Sequence, residues 1–556
     1  MEVLPDFTAV KNKANFPRVE AASPAFAAAG LASLLAMTGT AEEAIVQNKA
    51  NSQRARIGAK SLTGKWLWEF FPTLRLCKTK PIDWAMRGCI LSDDSVRCFQ
   101  REVIMQLVSR KSRLKGTVSI PASKSHTIRA VAIASLAQGQ SLIRNPLASA
   151  DAASAVSTYR ALGAAIDTSD PNLWKVTGTG GRLNVPAGPI DVGNSGTTLN
   201  IAIGSASLVG KGETVTFTGD KQTQSRPVGP LLDALSNLGA KCLSINNNGK
   251  APVKVTGQIT GGKTSISCST SQYLSSLLLC TPLAEKDTEI DVPLLNEPGY
   301  AQMTLDWLDG QGIVYRKQQM KKFNVKGGQK YKPFNRPVPA DFSSATFFLC
   351  AAALVGEEVT LLGLDFNDSQ PDKAVVDYLK GMGADITIAD CGLRIADSGR
   401  DANPKSEIRN PQSSMVKVIV KAAPLKGIEI DMNKTPDALP AMSVTAAFAE
   451  GETRLVNVPQ ARGKETDRIA CMAKELRRLS VEVEELPDGL VIQGGRPKPA
   501  TVHGWGDHRI VMATAMAGLV LDGPLTVDTA EAMSVTFPDY VKLMRSIGAD
   551  MEATGD

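Results

Sequence analysis

One pattern occurs six times along this 556-residue chain, and that repetition constrains its fold more than any other feature. In each copy a polar turn leads into an apolar stretch rich in small residues, then Gly or Glu, then a short strand. The copies begin SKSHTIRAVAIASLAQG at Ser123, GNSGTTLNIAIGSASLVG at Gly193 and STSQYLSSLLLCTPLAE at Ser269. The other three begin ADFSSATFFLCAAALVG at Ala340, PDALPAMSVTAAFAEG at Pro436 and GDHRIVMATAMAGLV at Gly506. They lie roughly 70 residues apart, with one step near 100. A stretch that is apolar on every side predicts a helix buried all round. The Ser, Asp or Asn ahead of it stands where an N-cap belongs.

A second, amphipathic helix follows in each copy and ends in a Leu-Gly-Ala-like C-cap before another strand. These are STYRALGAAIDT, LLDALSNLGAKCLSI, TLDWLDGQGIVY, VVDYLKGMGADITI, MAKELRRLSVEVEEL and YVKLMRSIGADMEA. The expected architecture is α/β, with six βα-type units, each too small to bury its own helix, assembled three plus three. Six buried helices then turn their N-termini out of the cores, with unpaired N–H groups and partial positive charge. If two three-unit lobes face each other, those N-termini line one cleft suited to phosphates and carboxylates.

Composition narrows the function further. A net charge of +6 without a long Lys/Arg run does not indicate a nucleic-acid surface. Nine cysteines without CxxC pairs or His companions signal neither a disulfide framework nor a metal site, and fit a reducing, cytoplasmic setting. The apolar stretch Ala21–Met37 contains Pro24, follows Glu20 and lacks a compact basic region, so it does not read as a signal peptide. No other apolar run is long enough to suggest a membrane span.

The helix starts carry recognisable chemistry. SKSHTIR (Ser123–Arg129), GNSGT (Gly193–Thr197), RPVG from Arg226, SQYL from Ser271, PDA (Pro436–Ala438), KETDR (Lys464–Arg468), DHR (Asp507–Arg509) and FPDY (Phe537–Tyr540) occur in one order. Together, from about residue 114 to the C-terminus, they resemble the EPSP synthase family. The resemblance implies the two-lobed enolpyruvyl transferase fold of six βαβαββ-type repeats, three plus three. It also implies a monomer that uses shikimate 3-phosphate and phosphoenolpyruvate, without a metal or organic cofactor.

Residue roles follow from the same resemblance. Lys124 contacts both substrates, and Ser125 and Arg129 hold the phosphate or carboxylate of shikimate 3-phosphate. A cation at a helix N-terminus works against the helix dipole, which independently calls for an anionic partner at Lys124. Arg226, Arg468 and Arg509 correspond to a clamp on phosphoenolpyruvate, where planar guanidinium groups match its oxygens. Gly196 lets backbone N–H groups approach that substrate closely. Thr270, Ser271, Gln272 and Tyr300 correspond to the grip on shikimate 3-phosphate, although Thr270 and Ser271 also suit simple helix capping. Asp437 and Glu465 are the candidate acid–base groups, Lys124 and Lys464 stabilise charge, and His508 borders the site. An N-cap role for Asp437 and a structural role for His508 are the plain alternatives.

The pattern also departs from the family. Asn200 and Val535 stand where Arg and Lys are usual, and Glu297 replaces a small polar residue in the acceptor grip. By the same resemblance, residues 105–122 and 341–556 form the first lobe and 123–340 the second. Residues 1–104 match nothing in the family and read as an extension of unknown role, expected to be poorly ordered. Two rivals remain at this point. One is a UDP-N-acetylglucosamine enolpyruvyl transferase, disfavoured because Lys221 holds the place of its usual reactive Cys. The other is a non-catalytic paralogue that binds anionic metabolites.

Overall fold

The structure, a computed structural model, describes residues 105–390 and 415–554. The expectation for residues 1–104 lies outside these residues. All six apolar stretches form helices: Lys124–Leu136 (α1), Gly196–Ala206 (α2), Ser271–Cys280 (α3), Phe342–Val355 (α4), Leu439–Ala447 (α5) and His508–Gly518 (α6). Four are capped as the sequence predicts: the side chains of Ser123, Ser195, Thr270 and Asp507 accept from backbone N–H groups two or three residues further on. The other two have no side-chain cap. At α5 a 3₁₀ turn, Pro436–Ala438, replaces it, so Asp437 is not an N-cap.

Among the described residues, six four-stranded sheets accompany these six helices. The unit of α2 shows the plan. Strand Ile190–Asp191 leads into α2, and strand Thr214–Thr218 returns parallel to it. Helix Gly229–Asn237 then leads to the hairpin of Lys241–Ser244 and Val253–Thr256, whose second strand pairs antiparallel with Thr214–Thr218. This is one βαβαββ unit. The units of α3 and α5 are built the same way from continuous chain.

The remaining three units borrow a strand. Leu114–Ser119 runs parallel to Gly356–Asp365 in the unit of α4, and Asn335–Pro337 runs parallel to Gln138–Arg144 in the unit of α1. Gln106–Arg110 pairs antiparallel with both Leu525–Val527 and Asp550–Thr554 beside α6. The chain therefore passes between lobes twice, and the two passages touch. Ser123 N donates to Pro339 O at 2.8 Å, Asp341 N donates to Pro121 O at 2.8 Å, and Ala122 bridges Ala340.

Two separate cores result. One gathers Leu107, Val118, Phe348, Met442, Met516 and Met551; the other gathers Ile133, Val176, Ile203, Leu277, Trp307 and Phe323. Each fully buried large apolar side chain contributes about 1.5–3 kcal/mol, so each lobe has its own driving force for folding. The many Ala, Ser and Gly residues on α1 and α2 keep the helices close enough to share one core. Among the described residues, no helix is long and apolar enough to cross a membrane.

Candidate active site

The helix starts converge on a cleft with an empty volume of about 570 Å³. From one lobe, α1 contributes Lys124, Ser125 and Arg129, α2 contributes Gly196, and α3 contributes Ser271 and Gln272. Arg226, Tyr300, Asp151 and Glu297 line the same wall. The opposite wall holds Asp437 from its 3₁₀ turn and Lys464 and Glu465 from the segment before helix Arg468–Arg478. Thr270, Arg468, His508 and Arg509 are not part of the lining, although the sequence nominates them.

Arg468 organises the acidic side. Its side chain is 1% exposed, and four of its five N–H groups are engaged by carboxylates. Nε and one Nη2 proton go to Asp507 (2.9 and 3.3 Å), Nη1 goes to Asp437 (2.8 Å), and Nη2 also reaches Glu465. Arg509 holds Asp437 from another side, with Nη2 3.0 Å from Oδ2 and Nη1 donating to its backbone carbonyl at 3.2 Å. The clamp expected of Arg468 and Arg509 is thus turned onto the protein's own carboxylates. Asp507 is buried and Asp437 and Glu465 are largely so; these two guanidinium groups, with Lys464 and Arg226 beside them, supply the counter-charge.

The electrostatics follow from this packing. Burial would raise the Asp437 carboxyl, but Arg509, Lys464 and Arg468 outweigh it and hold it well below the usual carboxylate range. Glu465 behaves likewise: burial opposes ionisation, and Arg468, Arg226 and Lys124 overcome it. Both carboxylates are ionised at neutral pH. Burial lowers His508 to about 3, so its imidazole is neutral, and its Nε2 has no hydrogen-bond partner among the described residues. Asp372, which the sequence reading did not single out, accepts from Tyr300 Oη at 2.6 Å. Burial and the nearby Asp437 push its carboxyl up to about 7.

On the other wall, Lys124 Nζ lies 3.0 Å from Asp151 Oδ2. Arg129 is buried and donates to Thr304, Ser275 and the carbonyls of Ser125 and Tyr300, which fixes its guanidinium. Arg226 crosses toward Glu465, with Nη2 3.4 Å from Oε1 but outside hydrogen-bond geometry, and its Nε and Nη2 are buried without hydrogen bonds. A Cβ on Gly196 would stand 2.3 Å from Arg226 Nη1, so a side chain there would push this guanidinium aside. Asn200, in the place of the usual Arg, donates to Gln272 Oε1 at 2.8 Å, and Gln272 donates to Thr197 Oγ1 at 3.1 Å. Asn200 therefore fixes Gln272 and adds no charge. Thr270 and Ser271 donate their hydroxyls to Glu297, whose carboxylate also meets Lys464.

Glu297 was noted only as a departure from the family pattern, and Asp151, Asp507 and Asp372 are the acids that motif reading missed as site residues. Only Asp507 carried a signal, as the first residue of DHR and a natural N-cap. The arrangement combines two ionised carboxylates tied to guanidinium groups, several N-terminal helix turns, and lysines from both walls. It is suited to two anionic substrates and to proton transfer between them.

Comparison with known proteins agrees with this chemistry. Residues 108–544 match the family model described as EPSP synthase (3-phosphoshikimate 1-carboxyvinyltransferase). A 3-phosphoshikimate 1-carboxyvinyltransferase of Ruminiclostridium cellulolyticum is 49% identical over 448 residues, covering 81% of this chain and 100% of that protein. The protein of the same name from Acetivibrio thermocellus is 50% identical over 447 residues, covering 80% of this chain and 99% of its own. Among solved structures, an EPSP synthase from Acinetobacter baumannii superposes with a TM-score of 0.67 at 27% identity, over 81% of this chain and 100% of that one. With the repeats, the cleft and these likenesses in agreement, the chain belongs to the EPSP synthase (3-phosphoshikimate 1-carboxyvinyltransferase) family.

Proposed function

We infer that this chain transfers the enolpyruvyl group of phosphoenolpyruvate to the 5-hydroxyl of shikimate 3-phosphate, releasing inorganic phosphate. The observation that carries this reading is the pair Asp437 and Glu465, bridged by Arg468 and facing a wall of Lys124, Arg129 and Arg226. Addition forms a bond from the 5-oxygen to C2 of phosphoenolpyruvate while C3 gains a proton and the hydroxyl loses one. Elimination then removes a proton from C3 as the C2–O bond to phosphate breaks. Each step needs a proton acceptor and donor held in place, the work of positioned carboxylates.

A carboxylate as acidic as resting Asp437 is a poor base. The oxygens of phosphoenolpyruvate compete for Arg509, Arg468 and Lys464, and each cation they draw away raises the Asp437 pKa. Substrate binding thereby activates the base. Arg226, with buried donors outside any hydrogen bond, takes the first share of that anion. Lys124 and Lys464 stabilise charge on the tetrahedral adduct. Phosphate release that requires both substrates tests the assignment.

The lobe boundaries at 105–122, 123–340 and 341–556 belong to the same reading, as do a monomeric state and a cytoplasmic location. Every proposed site residue, and the strand Gln106–Arg110 that completes the sheet beside α6, lies after residue 104. A chain beginning at Met105 is expected to fold and to retain full activity. An insoluble or inactive truncation beside an active full-length protein would show that residues 1–104 belong to the catalytic fold.

A further inference from the structure

Glu297 stands at a position where a carboxylate is out of place. It precedes helix Pro298–Gln311 but makes no capping bond there, and its backbone is left-handed at φ 57°. That conformation is uncommon for residues other than Gly, Asn and Asp, and persists where surrounding contacts impose it. The side chain is buried, at 1% exposure for the whole residue.

Its carboxylate is seated on the N-terminus of a different helix, α3. Oε2 accepts from Ser271 Oγ at 3.0 Å, Thr270 Oγ1 at 3.3 Å and Ser271 N at 3.4 Å. Oε1 accepts from Lys464 Nζ, which arrives from the opposite wall. Burial opposes the charge on Lys464, yet Glu297 and Asp437 raise its pKa, so the ammonium persists. A backbone N–H at a helix start, two hydroxyls and an ammonium form a cradle for a compact oxyanion, and a phosphate monoester fits it at least as well as a carboxylate.

We propose that Glu297 is an internal competitor at the acceptor site: its carboxylate, held also by Lys464, occupies the cradle of Thr270 and Ser271, and the acceptor's phosphate binds there by displacing it. The proposal rests on the enolpyruvyl-transfer reading above for the identity of the acceptor, but the competition itself does not. When the internal anion fills the cradle nine-tenths of the time, apparent affinity for an external phosphate falls about tenfold. The same contact links the two walls of the cleft, so displacement of Glu297 also releases Lys464 to meet phosphoenolpyruvate.

The test is calorimetric titration of the full chain and of Glu297→Gln with inorganic phosphate and, separately, with shikimate 3-phosphate. Both ligands are expected to bind the variant at least about tenfold more tightly. Equal or weaker phosphate binding by a folded variant overturns the proposal, as does unchanged affinity for shikimate 3-phosphate in a protein that turns it over. Tighter inorganic phosphate binding with no binding of shikimate 3-phosphate to either protein supports the role of Glu297 and instead removes the acceptor assignment. Glu297→Asn, which tolerates the left-handed backbone, carries the same test if the Gln variant fails to fold.

Discussion

Replacing Asp437 by Asn, or Glu465 by Gln, is expected to lower kcat by at least about 10²-fold, because a positioned acid–base group contributes on that order. The two side chains hang from the same guanidinium, Arg468, and both face the cleft. Neither substitution removes the cations that bind anionic substrates, so shikimate 3-phosphate should still bind measurably to both variants. Each amide keeps the size of the acid and a carbonyl that accepts from Arg468, so the geometry is retained while proton transfer is lost. Steady-state phosphate release and a separate binding titration distinguish the two effects. Turnover near that of the parent protein in either variant would remove that residue from the mechanism.

The second large effect is on stability. Arg468→Met leaves Asp507, which is fully buried, without its principal counter-charge, and loosens Asp437 and Glu465 as well. Breaking a buried ion pair from one side costs about 3–5 kcal/mol, because the remaining charge is uncompensated. Urea unfolding should show that loss, and turnover should fall with it. Arg468→Lys is not a conservative change, since a point charge with three donors cannot span three carboxylates. Adding Asp507→Asn to Arg468→Met removes the stranded charge and should recover part of the lost stability, as expected of coupled neighbours. Strictly additive losses in that double variant would mean that Arg468 does not act as the tie between these acids.

Much of the fold was legible because its signals are local. Six apolar stretches with capping residues, each followed by an amphipathic helix, fix twelve helices, and all twelve are present. The borrowed strands were not legible. Gln106–Arg110 pairs with Asp550–Thr554, more than 400 residues later, and nothing in five residues of strand names a partner so distant. The lining residues on helix starts, such as Lys124, Ser271 and Gln272, were readable because helix N-termini have sequence signatures. Arg468 was readable as a site residue, but its direction was not: whether a guanidinium faces a substrate or three of the protein's own acids depends on which carboxylates the fold brings beside it. For the same reason Asp372 was missed as a site residue, and Glu297 was noted only as a departure from the family pattern. Glu297 meets Lys464, and Asp372 meets Tyr300, only after the two walls come together.

The account as a whole stands on one measurement, phosphate release by the purified chain with shikimate 3-phosphate and phosphoenolpyruvate, followed by identification of the organic product. The expected result is release that requires both substrates, with one enolpyruvyl ether at the 5-oxygen formed for each phosphate. Release supported instead by UDP-N-acetylglucosamine, or no release from a folded protein that binds both substrates, would contradict it.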